Sequence, residues 1–146
     1  DAVREALVEA GYLKVSKERG TKAPHAGPLA VTSPDGLAIL VGRNSRQNDE
    51  VTFRRAEGDD WWFHAHGVSG AHVIVRAGNR DLPPATIQRA AELAAYFSRL
   101  RSEAQAQVDY TRRRHVRRIP GAAPGLVTYS REETIRVVPR GLDREA

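Results

Sequence analysis

The sequence predicts an α+β domain: a mixed, mostly antiparallel sheet with one main helix packed on it. Three observations carry this. Only residues 83–101 show a strong helical period. Short strand-like runs lie on both sides of that segment, so the order is strands, helix, strands and not the strict alternation of a doubly wound fold. The chain has 146 residues, 40% hydrophobic and 28% charged, which suffices for one buried core.

Val3, Ala6, Leu7 and Ala10 form an apolar stripe at helical spacing that stops at Gly11, a C-cap signal. One amphipathic helix of that length does not stand alone in water. Residues 1–27 are therefore expected to be the end of a preceding helical region plus a polar linker, Lys14 to Gly27. The compact domain is expected over 28–140, with 141–146 as a tail. Ser33-Pro34-Asp35-Gly36 reads as a turn between strands Leu29–Thr32 and Leu37–Val41. Gly42–Asp49 reads as a polar loop. Strands are expected at Val51–Ala56, Trp61–His66 and Ala71–Arg76, interrupted at Gly58 and at the Gly67–Gly70 loop.

Pro83-Pro84 opens the main helix, expected to run to about Arg101. Ile87, Ala90, Ala91, Ala94 and Phe97 recur at helical spacing, with Leu93 and Leu100 widening the stripe. Ile87 and Phe97 are expected against the sheet. Further strands are expected at Gln107–Thr111, Leu126–Ser130 and Thr134–Val138, the last two as a hairpin across Arg131-Glu132-Glu133.

Composition excludes several chemistries. There is no cysteine, which removes disulfides, thiolate zinc sites and thiol nucleophiles. The absence of methionine suggests a domain from a longer protein. No apolar run approaches the length of about 18 residues that a membrane span needs, and no signal peptide is recognisable. No membrane partner is expected, and the cytoplasm is the expected location.

The net charge is +5, and its distribution is uneven. Residues 101–140 carry nine arginines against Glu103, Asp109, Glu132 and Glu133, a surplus equal to the whole net charge. Its centre is Arg112-Arg113-Arg114-His115-Val116-Arg117-Arg118. Such a cluster repels itself unless an anion neutralises it. Lys14, Lys17 and Lys22 are the only lysines, so a solvated arginine-rich face is the plainer alternative.

Trp62, His64 and His66 should share one face of a strand, with His72 on its neighbour and Trp61 and Phe63 on the opposite face. His-x-His on a strand is a metal-binding geometry, yet no carboxylate has metal spacing. Neither metal nor cofactor is expected. The serines lack a nucleophile-elbow sequence, and the glycines are too sparse to cradle phosphate. The domain is not expected to be an enzyme.

What remains is a recognition surface. The candidate RNA-contacting residues are Arg43, Asn44, Arg46, Gln47, Asn48, Asp49, Trp62, His64, His72, Arg112, Arg113, Arg114, Arg117 and Arg118. Arginine and amide side chains donate to phosphates and base edges, and a tryptophan can stack on a base. RNA is favoured over duplex DNA because no helix carries basic residues into a major groove. Asn44, Gln47, Asn48 and Asp49 are equally suited to fixing their loop by turn hydrogen bonds. His64 and His72 are equally readable as satisfied interior histidines. In a strand Arg112, Arg113 and Arg114 would alternate, so at most two would share the binding face.

Six segments occur in order: residues 42–49 (GRNSRQND), 60–65 (DWWFHA), 70–74 (GAHVI), 90–99 (AAELAAYFSR), 108–111 (VDYT) and 120–125 (PGAAPG). Over about 28–139 the chain resembles the NFACT-R RNA-binding domain of the RqcH/NEMF family, also called fibronectin-binding protein A-like in bacteria. The resemblance implies a ribosome-quality-control factor. Such a factor binds the obstructed large ribosomal subunit and tRNA, and supports C-terminal alanine tailing of stalled nascent chains. It implies tRNA or large-subunit ribosomal RNA as partner, together with the N-terminal and helical domains of the same protein. Ser69, Ala71 and His66 depart from the family's usual proline, serine and lysine or other polar residue. Two alternatives stand beside it: an adhesin-like, fibronectin-binding interaction module, and a metal-dependent hydrolase built on His64, His66 and His72.

Overall fold

The computed structural model describes residues 4–6 and 27–142. Among the described residues nine strands and two α-helices succeed one another: β1 (Arg4–Ala6), β2 (Leu29–Thr32), β3 (Ala38–Val41), α1 (Ser45–Asp49), β4 (Trp61–Ala65), β5 (Val73–Arg76), α2 (Pro84–Tyr96), β6 (Ala106–Arg112), β7 (Val116–Arg118), β8 (Val127–Tyr129) and β9 (Glu133–Val137). A wide helical turn, Glu50–Arg55, continues α1, and a 3₁₀ turn, Arg113–His115, links β6 to β7. A six-stranded sheet has the order β2-β3-β5-β4-β6-β9, and a three-stranded sheet the order β1-β8-β7. Every pairing is antiparallel. The α+β class expected from the sequence is the class observed.

Strand alternation divides the core in two. Ile39, Val41, Phe63, Val73, Val75 and Val108 point from the large sheet to α2, where Ala90, Ala91, Leu93, Ala94 and Ala95 meet them. The run of alanines lets the helix lie close to the sheet. Leu40, Trp62 and Ile74 point the other way and pack with Val51, Val116, Val127 and Tyr129. The large sheet is thus covered on one face by α2 and on the other by the small sheet and the α1 segment.

The β2–β3 turn is closed by Ser33, whose Oγ accepts from the N–H groups of Asp35 and Leu37, with Gly36 at φ +85°. Thr86 of α2 donates to Asp35 Oδ2 at 2.7 Å, which fixes the helix against this turn. Pro84 opens α2 with Pro83 extended before it. Phe97 is buried and Ile87 half-buried against the same core.

Five local expectations are corrected. The Gly42–Asp49 loop contains α1, because Asn44 caps it: its side chain accepts from Gln47 N. Val51–Ala56 is not a strand but the wide helical turn, closed by Ala56 N–H donating to Val51 C=O at 3.0 Å. There Val51 and Thr52 turn inward while Arg54 and Arg55 are exposed.

The main helix ends at Tyr96, not Arg101. The Phe97 carbonyl accepts from Ala71 N–H, and Ser98 Oγ donates to the Ala95 carbonyl and accepts from Leu100 N–H. Leu126–Ser130 and Thr134–Val138 do not form a hairpin: β8 pairs with β7 and β1, whereas β9 pairs with β6. The chain changes sheets at Arg131, φ 60°. Finally, Arg4–Ala6 of the expected N-terminal helix is strand paired with β8, and the rest of residues 1–27 up to residue 26 lies outside the described residues.

Candidate nucleic-acid interface

The layer over the second face of the large sheet carries a cluster of arginines, and α1 anchors it. Asn44 Oδ1 accepts from Gln47 N–H at 2.9 Å, and Gln47 Oε1 accepts in return from Arg43 N–H at 3.0 Å. This reciprocal pair satisfies two free donors at the helix start. Asn48 is fully buried; its Oδ1 accepts from His72 N–H at 3.0 Å. A Cβ at position 42 would stand 2.8 Å from Asn48 Cα, so only glycine permits this approach.

Outward from this anchor the residues are basic and one is aromatic. Phe53 lies between two guanidiniums, Arg113 at 4.9 Å and Arg118 at 4.4 Å from its ring centre. Arg118 also grips Asp49 with two bonds, Nε to Oδ1 at 2.9 Å and Nη2 to Oδ2 at 3.0 Å. Arg43, Arg46, Arg54 and Arg117 make no ion pair among the described residues. Arg113 loses protons more readily than a free guanidinium, first through burial and then through Arg118 and Arg117. His115 is likewise held below the ordinary imidazole value by burial and by Arg114, Arg131, Arg117 and Arg112. In both, burial acts first and the positive charge around β7 adds to it.

Two of the arginines have partners within the fold. Arg112 stacks over Trp61, 4.2 Å to the ring centre, donates to the carbonyls of Asp59, Gly78 and Arg80, and pairs with Asp81. Arg114 pairs with Asp59. They lie beside a cleft of about 470 Å³ bounded by Glu57, Asp59, Asp60, Arg76 and Arg80.

Trp62, His64 and His72 lie inside. All three side chains are fully buried. Trp62 Nε1–H donates to His72 Nδ1 at 3.2 Å, and Thr52 Oγ1 stands 2.8 Å from the same nitrogen. His64 Nδ1–H donates to the Ala65 carbonyl at 2.7 Å. Burial holds His64 down to about 4, and His72 is lowered well below the ordinary value by burial and by His64. Both are neutral near pH 7.

Asp109, also buried, collects donors from three directions. It accepts from Tyr129 Oη, from Thr134 Oγ1 at 2.7 Å, and from His66 Nδ1 at 2.9 Å. Among the described residues no group of three or more His, Asp or Glu side chains could hold a metal ion.

Thus the structure brings Arg43, Arg46, Arg117 and Arg118 to one exposed or half-exposed layer, with Arg113 beside them. It turns Asn44, Gln47 and Asn48 to holding α1, and buries Trp62, His64 and His72 beneath that layer. Phe53 and Arg54 join the surface. Sequence reading misses them because the 51–56 run reads as strand. The Asn44-x-x-Gln47 spacing was the available signal for a helix there.

Fold and surface together define an α+β domain with a basic, partly aromatic face suited to a polyanion. A family model described as the NFACT protein RNA binding domain matches residues 29–130. The chain belongs to that family. It is 44% identical over 141 residues to the Rqc2 homolog RqcH of Bacillus subtilis (strain 168), covering 94% of this chain and 24% of that protein. With the Rqc2 homolog RqcH of Streptococcus suis (strain 05ZYH33) it shares 41% over 140 residues, 95% of this chain and 25% of that protein. The chain therefore spans about a quarter of the length of these curated relatives. Among solved structures it is similar to the C-terminal part of the fibronectin/fibrinogen-binding protein from Streptococcus suis. The TM-score is 0.75 at 37% identity, over 88% of this chain and 54% of that one. No described helix is long and apolar enough to cross a membrane.

Proposed function

We propose that this domain holds RNA for a ribosome-quality-control factor. The factor binds the obstructed large ribosomal subunit and tRNA in the cytoplasm and supports alanine tailing of the stalled chain. The domain positions RNA and makes or breaks no bond itself. The observation that carries the reading is the arginine layer on α1, the Glu50–Arg55 turn and β7. Within it, neighbouring positive charge adds to burial in disfavouring protonation of Arg113 and His115. An approaching phosphate backbone relieves that repulsion and releases counterions. The contacts are phosphate contacts first, made by Arg43, Arg46, Arg54, Arg113, Arg117 and Arg118.

The deciding experiment is ultraviolet crosslinking of the full-length protein in cells, with recovery and mapping of the attached RNA. Enrichment of tRNA and large-subunit ribosomal RNA is expected, with crosslinked peptides from residues 43–55 and 113–118. Recovery of RNA without such enrichment would leave an RNA-binding domain of a different process.

The likeness to the Streptococcus suis fibronectin/fibrinogen-binding protein supports a second reading, fibronectin binding through the same basic face. Surface plasmon resonance on immobilised fibronectin, with and without Arg117→Gln, separates it from the first.

A further inference from the structure

We propose that the outer face of the small sheet holds one phosphodiester group of an RNA, with His115 taking up a proton as it closes on that group. This rests on the RNA-binding reading above and adds both a residue and a proton to it. Val116 of β7 and Val127 and Tyr129 of β8 turn inward to the second core. Alternation therefore turns Arg117, Thr128 and Ser130 outward. The β7–β8 register sets Arg117 opposite Thr128. It continues one residue further, where Ser130 N–H donates to the His115 carbonyl at 3.2 Å. His115 and Ser130 are thus cross-strand neighbours, next to the Arg117 and Thr128 pair.

The side chains around this position carry one sign of charge. Arg112 acts on His115 from β6, Arg114 from the 3₁₀ turn, Arg117 from β7 and Arg131 from the crossing between β8 and β9. β1 brings one acidic residue by register, Glu5 opposite Thr128. Arg112 and Arg114 already pair with Asp81 and Asp59. Arg117 and Arg131 are exposed, and among the described residues no carboxylate pairs with either of them or with His115. A phosphate seated there meets two uncommitted guanidiniums, with the Thr128 and Ser130 hydroxyls as further donors. Cross-strand side chains start about 5 Å apart, which places this set around a single phosphate.

The proton follows from the same geometry. In the free domain burial first, and then Arg114, Arg131, Arg117 and Arg112, disfavour the imidazolium and hold His115 below the ordinary imidazole value. A phosphodiester offsets that positive charge and offers an oxygen to a ring N–H, and both effects favour the imidazolium. The proton is taken up only with the phosphate in place, so RNA binding tightens as pH falls. Arginines stay charged throughout this range and contribute no such dependence.

The test measures binding of the 146-residue chain to an oligouridylate with a hydroxyl at each end, between about pH 8 and about pH 5.5 at constant salt. Every phosphate of this probe is a diester, and neither it nor uracil takes up protons in that range. Affinity should rise about tenfold toward the acid end. His115→Gln keeps the backbone bond to Ser130 and every other histidine. It should bind like the unaltered chain at the alkaline end and show no such rise. Arg131→Gln should weaken binding at every pH. The imidazole resonance of His115, followed against pH by NMR, should shift its midpoint upward when the RNA is added. A rise that survives His115→Gln, unchanged binding by Arg131→Gln, or a midpoint that RNA leaves in place overturns the site. Affinity that is flat in the unaltered chain does so too, and leaves the phosphate-binding arginines standing. Failure to bind at any pH overturns both readings.

Discussion

The indole of Trp62 lies parallel to the imidazole of His64, with 5.5 Å between ring centres and 7° between planes. The two are alternate residues of β4 and face away from α2. His72 meets both rings edge-on, at 5.4 and 5.6 Å. Three rings that can donate or accept hydrogen bonds therefore fill the space between the large sheet and the arginine layer.

Acidification should loosen the fold through these rings. The His64 value drops from 6.5 to about 4 on folding, because burial penalises the imidazolium. The unfolded chain thus takes up a proton that the folded chain refuses. The stabilisation is present above pH 6.5 and is lost as pH falls toward 4, by about 3 kcal/mol for His64 alone. Urea unfolding across that range should show it, and His64→Asn should flatten the slope. Stability that is unchanged or higher at low pH would contradict the burial argument.

The arginines should divide into two groups. Replacing Arg46, Arg54 and Arg117 together by glutamine should lower RNA affinity on unrelated sequences. It should flatten the dependence of log affinity on log salt by roughly 2 units, at about 0.7 per phosphate on single strands. The thermal midpoint should hardly move. Arg112→Gln should do the reverse. It costs about 1 kcal/mol of stability through lost hydrogen bonds to the carbonyls of Asp59, Gly78 and Arg80 and the Trp61 stack, and leaves the salt slope alone. Binding titrations in a salt series, paired with melts, distinguish the two groups.

Asn48 should behave as a structural residue with a functional address. Asn48→Ala leaves the His72 N–H without its acceptor inside the protein, a loss of about 1–3 kcal/mol. Hydrogen exchange should show the loss first at His72 and in the 42–55 segment. Unchanged protection at His72 would mean the bond is not what holds α1.

Phe97→Ala should cost roughly 3–5 kcal/mol by chemical denaturation, the usual penalty for emptying a buried aromatic site. Phe97 packs where α2 ends and its own carbonyl takes the Ala71 N–H. A loss below about 1 kcal/mol would mean the helix end is not part of the core.

The parts legible in sequence are those where a period and a burial pattern coincide. The alternation in Trp61-Trp62-Phe63-His64 fixes their faces, and the alanine stripe of α2 finds the helix. The Val51–Phe53 stretch failed for a physical reason: alternating bulky residues look like strand, but the Asn44 cap had already committed the chain to helical turns. The exchange of β8 and β9 between sheets was hidden because Arg131-Glu132-Glu133 suits a hairpin turn equally well. Asn44, Gln47 and Asn48 were found as important polar residues, yet residue type does not say whether an amide donates inward or outward. Tertiary contacts decide that. The charge excess on residues 112–118 was legible, whereas the commitment of Arg112 to Trp61 needed the register of β4 against β6.

The Asp109 carboxylate has a consequence for how this surface meets a ligand. Apolar layers can slide with little penalty, but hydrogen bonds are directional. Tyr129 belongs to the small sheet, Thr134 to the edge of the large one, and both donate to a single buried carboxylate in its interior. That junction sets the phase of one layer against the other, and with it the spacing between guanidiniums on the outside. The backbone that carries the arginines is thereby held in one arrangement, while the exposed guanidiniums themselves keep their side-chain freedom. A shift of β7 against β6 would therefore have to break the Asp109 contacts before the arginine-bearing backbone could move.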